Sequence, residues 1–278
     1  MTTEPLLSSH SFGHGIPILF IHGWELDGSY EALDFEPIFT PQSDYQRIYI
    51  DLPGMGATPA GNVRNLDDMF LRLVHFVDSV IAKSRFLVAG SSLGAYLARA
   101  VANRYRQQVD GLLLRVPLIE PENSKRDVDP FRPLLVDAEL MAGLPPSDRE
   151  HLGNVLIQTP EYVSKLQAKL NIGMRPAVSA SDSAVLSSIR NNVNRYRLSP
   201  QHDAGTENFL APTLIIAGRQ DEVTGYRDCL RLLHFYPRST FAVLDRETHA
   251  LPVDDRTVFD ALVKNWLYRV REWQGGRG

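Results

Sequence analysis

One short segment of the chain has residue types and spacing suited to nucleophilic chemistry. Ser92 is the central residue of Gly90-Ser91-Ser92-Leu93-Gly94, which follows an apolar run at 86–89 and opens a helical pattern at 93–106. In a tight turn from strand to helix, the central residue has a strained backbone, and a larger residue in place of either flanking glycine would collide with the turn. The segment therefore predicts a nucleophile elbow with Ser92 as the nucleophile.

Other chemistry-bearing residues show no pattern of a metal or cofactor site. A zinc site typically has histidines at i, i+4 spacing or clustered with carboxylates. Gly54-Met55-Gly56 precedes Ala57-Thr58-Pro59 and no helix, unlike a dinucleotide- or phosphate-binding loop. The sequence thus predicts no metal and no cofactor. The remaining histidines, which are not clustered with carboxylates in a metal-site pattern, are His10, His14, His75, His151, His202 and His234.

Short aliphatic runs alternate with stretches of helical periodicity along most of the chain. This alternation indicates parallel strands with helices on both faces, a doubly wound α/β fold, and the apolar runs are typical of strands buried on both sides. Loops that follow such strands are expected to bind the ligand. The predicted strands are 16–21, 47–50, 86–89, 112–116, 213–217 and 240–244, and the predicted helices are 66–82, 93–106, 226–235 and 257–270.

One long segment interrupts this alternation. Residues 118–208 contain no convincing strand but do contain helix-start signals, namely Ser147 with Glu150 and Thr159 before Pro160. Residues 120–133 are rich in proline and charge, as in a connecting loop. We therefore predict a helical cap at 118–208, inserted into a core domain made of residues 1–117 and 209–278.

Composition limits the class of protein. The 278 residues are 44% hydrophobic and 22% charged with a net charge of −4, which indicates a globular protein without a basic surface for nucleic acid. The single cysteine, Cys229, predicts a buried thiol in a reducing compartment. No run approaches the roughly 20 apolar residues of a membrane span, and the first residues do not resemble a leader. We expect a cytoplasmic monomer or homodimer that acts on a small molecule, with neither nucleic acid nor membrane as partner.

Four landmarks resemble, in order, those of the α/β-hydrolase superfamily. They are His22-Gly23-Trp24, Asp51-Leu52-Pro53-Gly54-Met55-Gly56, the turn at Ser92, and the late pair Asp221 and His249. The resemblance extends over nearly the whole chain. It implies a mostly parallel doubly wound sheet of the α/β-hydrolase type with an inserted helical cap, and it leaves the substrate open.

A serine nucleophile needs a base to accept its proton and a third group to orient that base. The resemblance implies that His249, after the last strand, is the base. It also implies that Asp221, after the strand at 213–217, is the acid, which agrees with the chain order serine, acid, histidine. Thr248 stands where a glycine more usually precedes the histidine. Glu222 and Glu120 remain alternative acids.

Negative charge that develops on a substrate carbonyl requires donors, and two backbone N–H groups typically contribute about 3 kcal/mol or more. The resemblance nominates the N–H groups of Trp24 and Leu93 as this oxyanion hole. It implies that His22 is structural and holds its turn by hydrogen bonds. Asp51 is interpreted as a turn former, with Gly54 and Gly56 at positive φ.

Specificity is expected to come from the cap. Its arginines could contact an anionic substrate, although most arginines are solvated, and its aromatic residues could line the pocket or the cap's own core. The sequence does not decide between these roles. The residues concerned are Arg175, Arg190, Arg195, Arg197, Phe131, Tyr162 and Tyr196.

Taken with the resemblance, these residues predict a serine hydrolase that cleaves a small ester, lactone or related carbonyl compound through an acyl-enzyme. A carbon–carbon hydrolase of the meta-cleavage type would use the same three residues. In a cofactor-free dioxygenase, His249 and Asp221 would deprotonate a heteroaromatic substrate and Ser92 would be secondary. A binding protein without fast turnover is a further alternative. Haloalkane dehalogenases and epoxide hydrolases are disfavoured because their elbows carry aspartate.

Overall fold

A single sheet of seven strands is the centre of the computed structural model, which describes residues 5–152, 155–203, 205 and 207–276. The strands of this described part are β1 (Ser9–Phe12), β2 (Ile16–Ile21), β3 (Tyr45–Ile50), β4 (Phe86–Ser91), β5 (Val109–Arg115), β6 (Thr213–Gly218) and β7 (Ser239–Leu244). Their order is β1-β3-β2-β4-β5-β6-β7, and only the β1–β3 pair is antiparallel within it. The predicted mostly parallel fold is confirmed.

Helices cover both faces of the sheet. Side chains alternate along β2, so Ile18 and Phe20 pack in one cluster with the helices Gly28–Phe35 and Arg256–Gly275. Leu19 and Ile21 pack in another cluster with the helices Leu66–Phe76 and Leu93–Arg104. The sheet is therefore buried on both sides, as the apolar strands indicated. The α-helices of the described residues are α1 (Gly28–Phe35), α2 (Leu66–Phe76), α3 (Leu93–Arg104), α4 (Ala138–Gly143), α5 (Pro146–Leu152), α6 (Pro160–Lys169), α7 (Arg175–Ala180), α8 (Ser183–Arg190) and α9 (Arg256–Gly275).

Two elements were not predicted, and two differ in type. β1 is short and mostly exposed, so no apolar run marks it. α1 carries the buried residues Glu31 and Asp34, which interrupt its apolar stripe. The predicted helix at 226–235 is a 3₁₀ helix, Asp228–His234, with Cys229 buried in it as expected. The predicted helix at 66–82 is α2 followed by a π-helical turn at Val77–Ile81.

The segment 118–208 contains α4 to α8 and, in its described residues, no strand. Thr159 caps α6 with Pro160 in the first turn, as predicted. Helix α5 begins at Pro146, and the side chains of Ser147 and Glu150 lie outside the described set. The limits of the cap remain a prediction. In the described ranges, no helix has the length and hydropathy needed to cross a bilayer.

Candidate active site

Ser92 lies at the junction of β4 and α3 with φ +54° and ψ −116°, a backbone conformation that residues other than glycine rarely adopt. The flanking glycines are required by close backbone contacts. A Cβ at Gly90 would overlap the carbonyl oxygen of Gly94, and a Cβ at Gly94 would overlap that of Ile21 on β2. The Ser92 N–H donates to the carbonyl oxygen of Arg115, 2.9 Å away. Neighbouring strands thus hold the serine in this strained conformation.

The structure brings Ser92, His249 and Asp221 together in one hydrogen-bonded chain. His249 Nε2 lies 2.9 Å from Ser92 Oγ, and His249 Nδ1 lies 2.9 Å from Asp221 Oδ2. The three residues follow β4, β7 and β6 at the carboxyl edge of the sheet. Residues separated by up to 157 positions therefore meet because parallel strands end at the same edge.

Asp221 is buried and receives more hydrogen bonds than the sequence indicated. The N–H groups of Val223 and Thr224 donate to Oδ1 at 2.8 and 2.9 Å, and the Thr224 hydroxyl lies 2.8 Å from Oδ2. Burial raises the pKa of Asp221, but His249 and these donors outweigh it, so the pKa lies below its usual value. Asp221 is therefore held as a carboxylate. Thr224 was missed, although its position three residues after an aspartate is typical of such a turn.

The predicted oxyanion donors lie beside Ser92. A Cβ built on Gly23 would be 3.4 Å from Ser92 Cβ, which places the Gly23-Trp24 turn against the serine. Leu93 is the first residue of α3, so its N–H has no carbonyl of its own helix to donate to. The Gly23-Trp24 turn and the first residue of α3 thus both lie next to Ser92.

His22 and Asp51 stabilise the turns near the serine. His22 is buried, with Nδ1 2.7 Å from the Gly23 carbonyl oxygen and Nε2 accepting the Leu52 N–H at 2.9 Å. Burial lowers the pKa of His22, consistent with a neutral ring whose two nitrogens are both occupied. Asp51 accepts hydrogen bonds from the N–H groups of Gly28 and Ala57, each at 2.9 Å. Gly54 and Gly56 have φ of +78° and +54°, as predicted.

The hydrogen-bond partners of His249 Nδ1 are Asp221 and Thr224, and neither alternative acid is among them. Glu120 accepts from Arg197 at 2.9 Å. Glu222 lines the adjacent cavity. Of the three candidate carboxylates, the geometry therefore selects Asp221.

A cavity of about 450 Å³ opens onto Ser92 and His249. Its apolar wall comes largely from the segment 118–208, and Trp24 and Tyr196 add aromatic surface. The volume and the apolar wall suit a small organic substrate. The apolar residues that this segment contributes are Leu118, Leu152, Leu166, Leu170, Met174 and Val178.

The predicted specificity residues divide between the cavity and other surroundings. Arg190 and Tyr196 line the cavity. Arg175 pairs with Asp148 and Arg197 with Glu120, whereas Arg195 is exposed. Tyr162 and Phe131 pack in a separate apolar cluster that includes Leu156 and Val163. Arg126, which also lines the cavity, was missed because its proline- and charge-rich segment was interpreted as a connection.

A buried network of charged groups, which the sequence analysis did not predict, contacts Ser91, the residue before the nucleophile candidate. Arg115 on β5 donates to Glu31 Oε2 at 2.7 Å and to Ser91 Oγ at 2.7 Å, and it also pairs with Asp34. Ser91 donates in turn to Glu31. All four side chains are buried, so their charges and donors are satisfied almost entirely by one another.

The same network extends to the loop that carries His249. Arg115 Nη1 donates to the Leu251 carbonyl oxygen at 3.1 Å. Lys169, at the end of α6, donates to Asp34 at 2.8 Å and to the Ala250 carbonyl oxygen at 2.7 Å. Burial lowers the pKa of Lys169, against the charge of Asp34. Two buried cations thus fix the backbone immediately after His249.

Comparison with known proteins agrees with this architecture. Residues 18–261 match the model of the Alpha/beta hydrolase family. An alpha/beta superfamily hydrolase from Oenococcus oeni superposes with a TM-score of 0.83 and 27% identity, covering 97% of this chain and all of that one. The chain therefore belongs to the Alpha/beta hydrolase family.

Two curated relatives match to different extents. An AB hydrolase superfamily protein of Bacillus subtilis is 24% identical over 256 residues, 90% of this chain and 91% of that protein. A pimeloyl-[acyl-carrier protein] methyl ester esterase of Shewanella woodyi is 34% identical over 110 residues. That second match spans 38% of each protein, so it relates only part of the two chains.

Proposed function

We propose that the protein is a serine hydrolase that cleaves a small carboxylic ester or related carbonyl compound through an acyl-enzyme. The observation that carries the proposal is the chain Asp221–His249–Ser92, with both contacts at 2.9 Å. A serine alone would not be activated at neutral pH, and this arrangement supplies both the base and the group that orients it. The esterase name of a partial relative supports an ester as the substrate.

In the proposed mechanism, His249 Nε2 accepts the Ser92 proton as Oγ attacks the carbonyl carbon. Asp221 holds the imidazole in the required tautomer and stabilises the imidazolium that forms. The N–H groups of Trp24 and Leu93 donate to the developing oxyanion, and the amino end of α3 favours the same charge. His249 then protonates the leaving alcohol. Water, deprotonated by His249, attacks the acyl-enzyme and releases the acid.

The segment 118–208 is proposed to act as the cap over this site. Six of its apolar side chains face the cavity that contains Ser92 and His249. Lys169, within the same segment, is bonded to the backbone beside His249. A cap with these contacts would shield the acyl-enzyme from bulk water and set the size of the acyl group.

A fluorophosphonate probe tests the identity of the nucleophile. Such a probe forms a stable adduct with an activated serine, and peptide mass spectrometry then locates it. We expect one adduct, on Ser92, with labelling absent in Ser92→Ala and slowed in His249→Ala. Undiminished labelling of Ser92→Ala, or an adduct on another residue, would refute the proposal.

Removing the hydroxyl of Thr224 is expected to weaken the support of Asp221. Thr224→Val keeps the backbone N–H but removes the donor 2.8 Å from Oδ2. A hydrogen bond to a charged group contributes about 1.5–3 kcal/mol, so we expect kcat on 4-nitrophenyl butyrate to fall roughly tenfold or more, with KM nearly unchanged. Thr224→Ser restores the hydroxyl and should retain most of the activity. Equal rates for the valine and serine variants would contradict this role.

A further inference from the structure

Two guanidinium groups line the cavity without a carboxylate partner. Arg126 donates to the main-chain carbonyl oxygens of Glu120, Pro121 and Val223 at 2.8, 3.2 and 2.9 Å. Arg190 donates to Asn123 Oδ1 at 3.1 Å. Among the side chains that the structure describes, no carboxylate oxygen lies within 4.0 Å of either guanidinium. Their donors are partly satisfied, and the carboxylates of Asp221 and Glu120 act on Arg126 only as nearby charges, without direct pairing.

The two cations lie close enough to repel each other. Burial, and next the positive charge of Arg190, lower the pKa of Arg126. Burial raises the pKa of the Tyr196 phenol, and both arginines oppose that rise, so Tyr196 lies near both of them. Placing two like charges together in a partly buried wall is unfavourable unless an anion joins them. The arrangement is thus suited to an anionic group of the substrate.

These arginines lie on the side of the cavity next to the predicted oxyanion turn. The guanidinium carbon of Arg190 lies 4.2 Å from the centre of the Tyr196 ring. The same ring packs edge-on against Trp24, with 5.0 Å between ring centres. Ring contacts thus run from Arg190 through Tyr196 to Trp24, whose turn lies against Ser92.

Two carboxylates also line the cavity and affect the balance of charge. Glu25 follows Trp24, and its charge adds to the raised pKa of Tyr196, so it lies on the same side as the arginines. Glu222 instead acts on Tyr162, in the apolar cluster of the cap segment. An anion held by the arginines would be repelled by Glu25. Arg126 and Arg190 would thus favour an anionic group of the substrate, whereas Glu25 would disfavour it.

We propose that Arg126 and Arg190 form an anion subsite, and that the substrate is an ester with a second, free carboxylate. The inference rests on ester hydrolysis at Ser92. The carboxylate would bind between the two guanidinium groups while the ester carbonyl lies at Ser92. An Arg–carboxylate contact is charge-assisted and directional, which gives the subsite selectivity over neutral esters of the same length.

A matched pair of substrates tests this subsite. Mono-4-nitrophenyl adipate and 4-nitrophenyl hexanoate have acyl chains of equal length and differ in the terminal carboxylate. For wild type, we expect kcat/KM to be about tenfold or more higher for the adipate ester. Adipate should also be a stronger competitive inhibitor than hexanoate. Equal values in both measurements, or a preference for 4-nitrophenyl hexanoate and for hexanoate, would overturn the proposal.

Three variants then assign the preference to residues. Arg190→Gln should lower the adipate-to-hexanoate ratio about tenfold, whereas Glu25→Gln should raise it, because it removes the opposing carboxylate. Arg195→Gln, an exposed arginine of the same segment, should leave both rates at wild-type values. An unchanged ratio in Arg190→Gln and Glu25→Gln would refute the subsite. Failure of wild type to hydrolyse either ester would instead refute the ester hydrolase assignment.

Discussion

Replacing Ser92 with alanine is expected to lower kcat for 4-nitrophenyl butyrate by a factor of about 10³ or more. The variant loses the atom that would form the acyl-enzyme, while the oxyanion donors and the cavity remain. KM should therefore change much less than kcat. Thermal unfolding of the variant should resemble that of wild type. Among the described residues, the Ser92 hydroxyl is hydrogen-bonded only to His249, so its removal leaves the rest of the fold unchanged.

Double substitution separates a catalytic unit from independent contributions. If Ser92 and His249 act in one step, then Ser92→Ala/His249→Ala should be little slower than either single variant. If the loss of kcat in the double variant instead equals the product of the two single losses, the residues act independently. Undiminished hydrolysis by Ser92→Ala would contradict the proposed mechanism and would favour chemistry that uses His249 and Asp221 without the serine.

Replacing Arg115 with methionine is expected to lower the free energy of unfolding by about 3–5 kcal/mol. Methionine fills much of the same space, but Glu31 would lose the buried cation that neutralises it, and Asp34 would keep only Lys169. Chemical denaturation measures the effect. Lys165→Met is a matched control, because Lys165 pairs with Glu161 at the surface, where such pairs contribute at most about 1 kcal/mol.

The pH dependence of this loss gives a second measurement. Burial raises the pKa of Glu31, and the charge of Arg115 opposes that rise. Without Arg115 the pKa should rise further, so the folded variant keeps a proton that the unfolded chain releases. Its stability then falls as pH rises through the folded-state pKa, and the loss should be smaller at about pH 5 than at about pH 8. A loss independent of pH would indicate that packing, and not charge, is responsible.

Compensating substitutions distinguish the cost of unpaired charge from the loss of specific contacts. Arg115→Met combined with Glu31→Gln and Asp34→Asn removes both carboxylates with the cation, and it should recover part of the lost stability. Activity is not expected to recover, because Arg115 also holds the Leu251 carbonyl oxygen beside His249. Recovery of both would argue against a role of this network in positioning the histidine.

The local features of the site were predictable because they depend on short stretches of chain. The two glycines around Ser92, the apolar strand before it and the helical pattern after it are adjacent in sequence and fix the strained turn together. Thr159 before Pro160 marked a helix start for the same reason. His249 and Asp221 were predicted from their resemblance to a known order of residues, which names the partners but contains no distance.

Other features depend on contacts between distant elements. Glu31, Asp34, Arg115 and Lys169 are charged residues, which single-sequence patterns place at the surface. They are buried, or in the case of Lys169 largely buried, only because three separate elements, α1, β5 and α6, meet there. Arg126 lies in a segment whose composition predicted only a connection. Its proposed role depends on Arg190, which is distant in the sequence but close to Arg126 in the wall of the cavity.

The sequence by itself determined the alternation of strands and helices, the turn at Ser92 and the types of residue available for proton transfer, because hydrophobic periodicity and glycine geometry are local properties. Only the tertiary structure decided that His249 lies 2.9 Å from Ser92, that Thr224 supports Asp221 and that two uncompensated arginines share one wall of the cavity. The physical reason is that hydrogen bonding and charge interaction depend on distances set by the packing of parallel strands, whose ends meet although the residues are far apart in the chain.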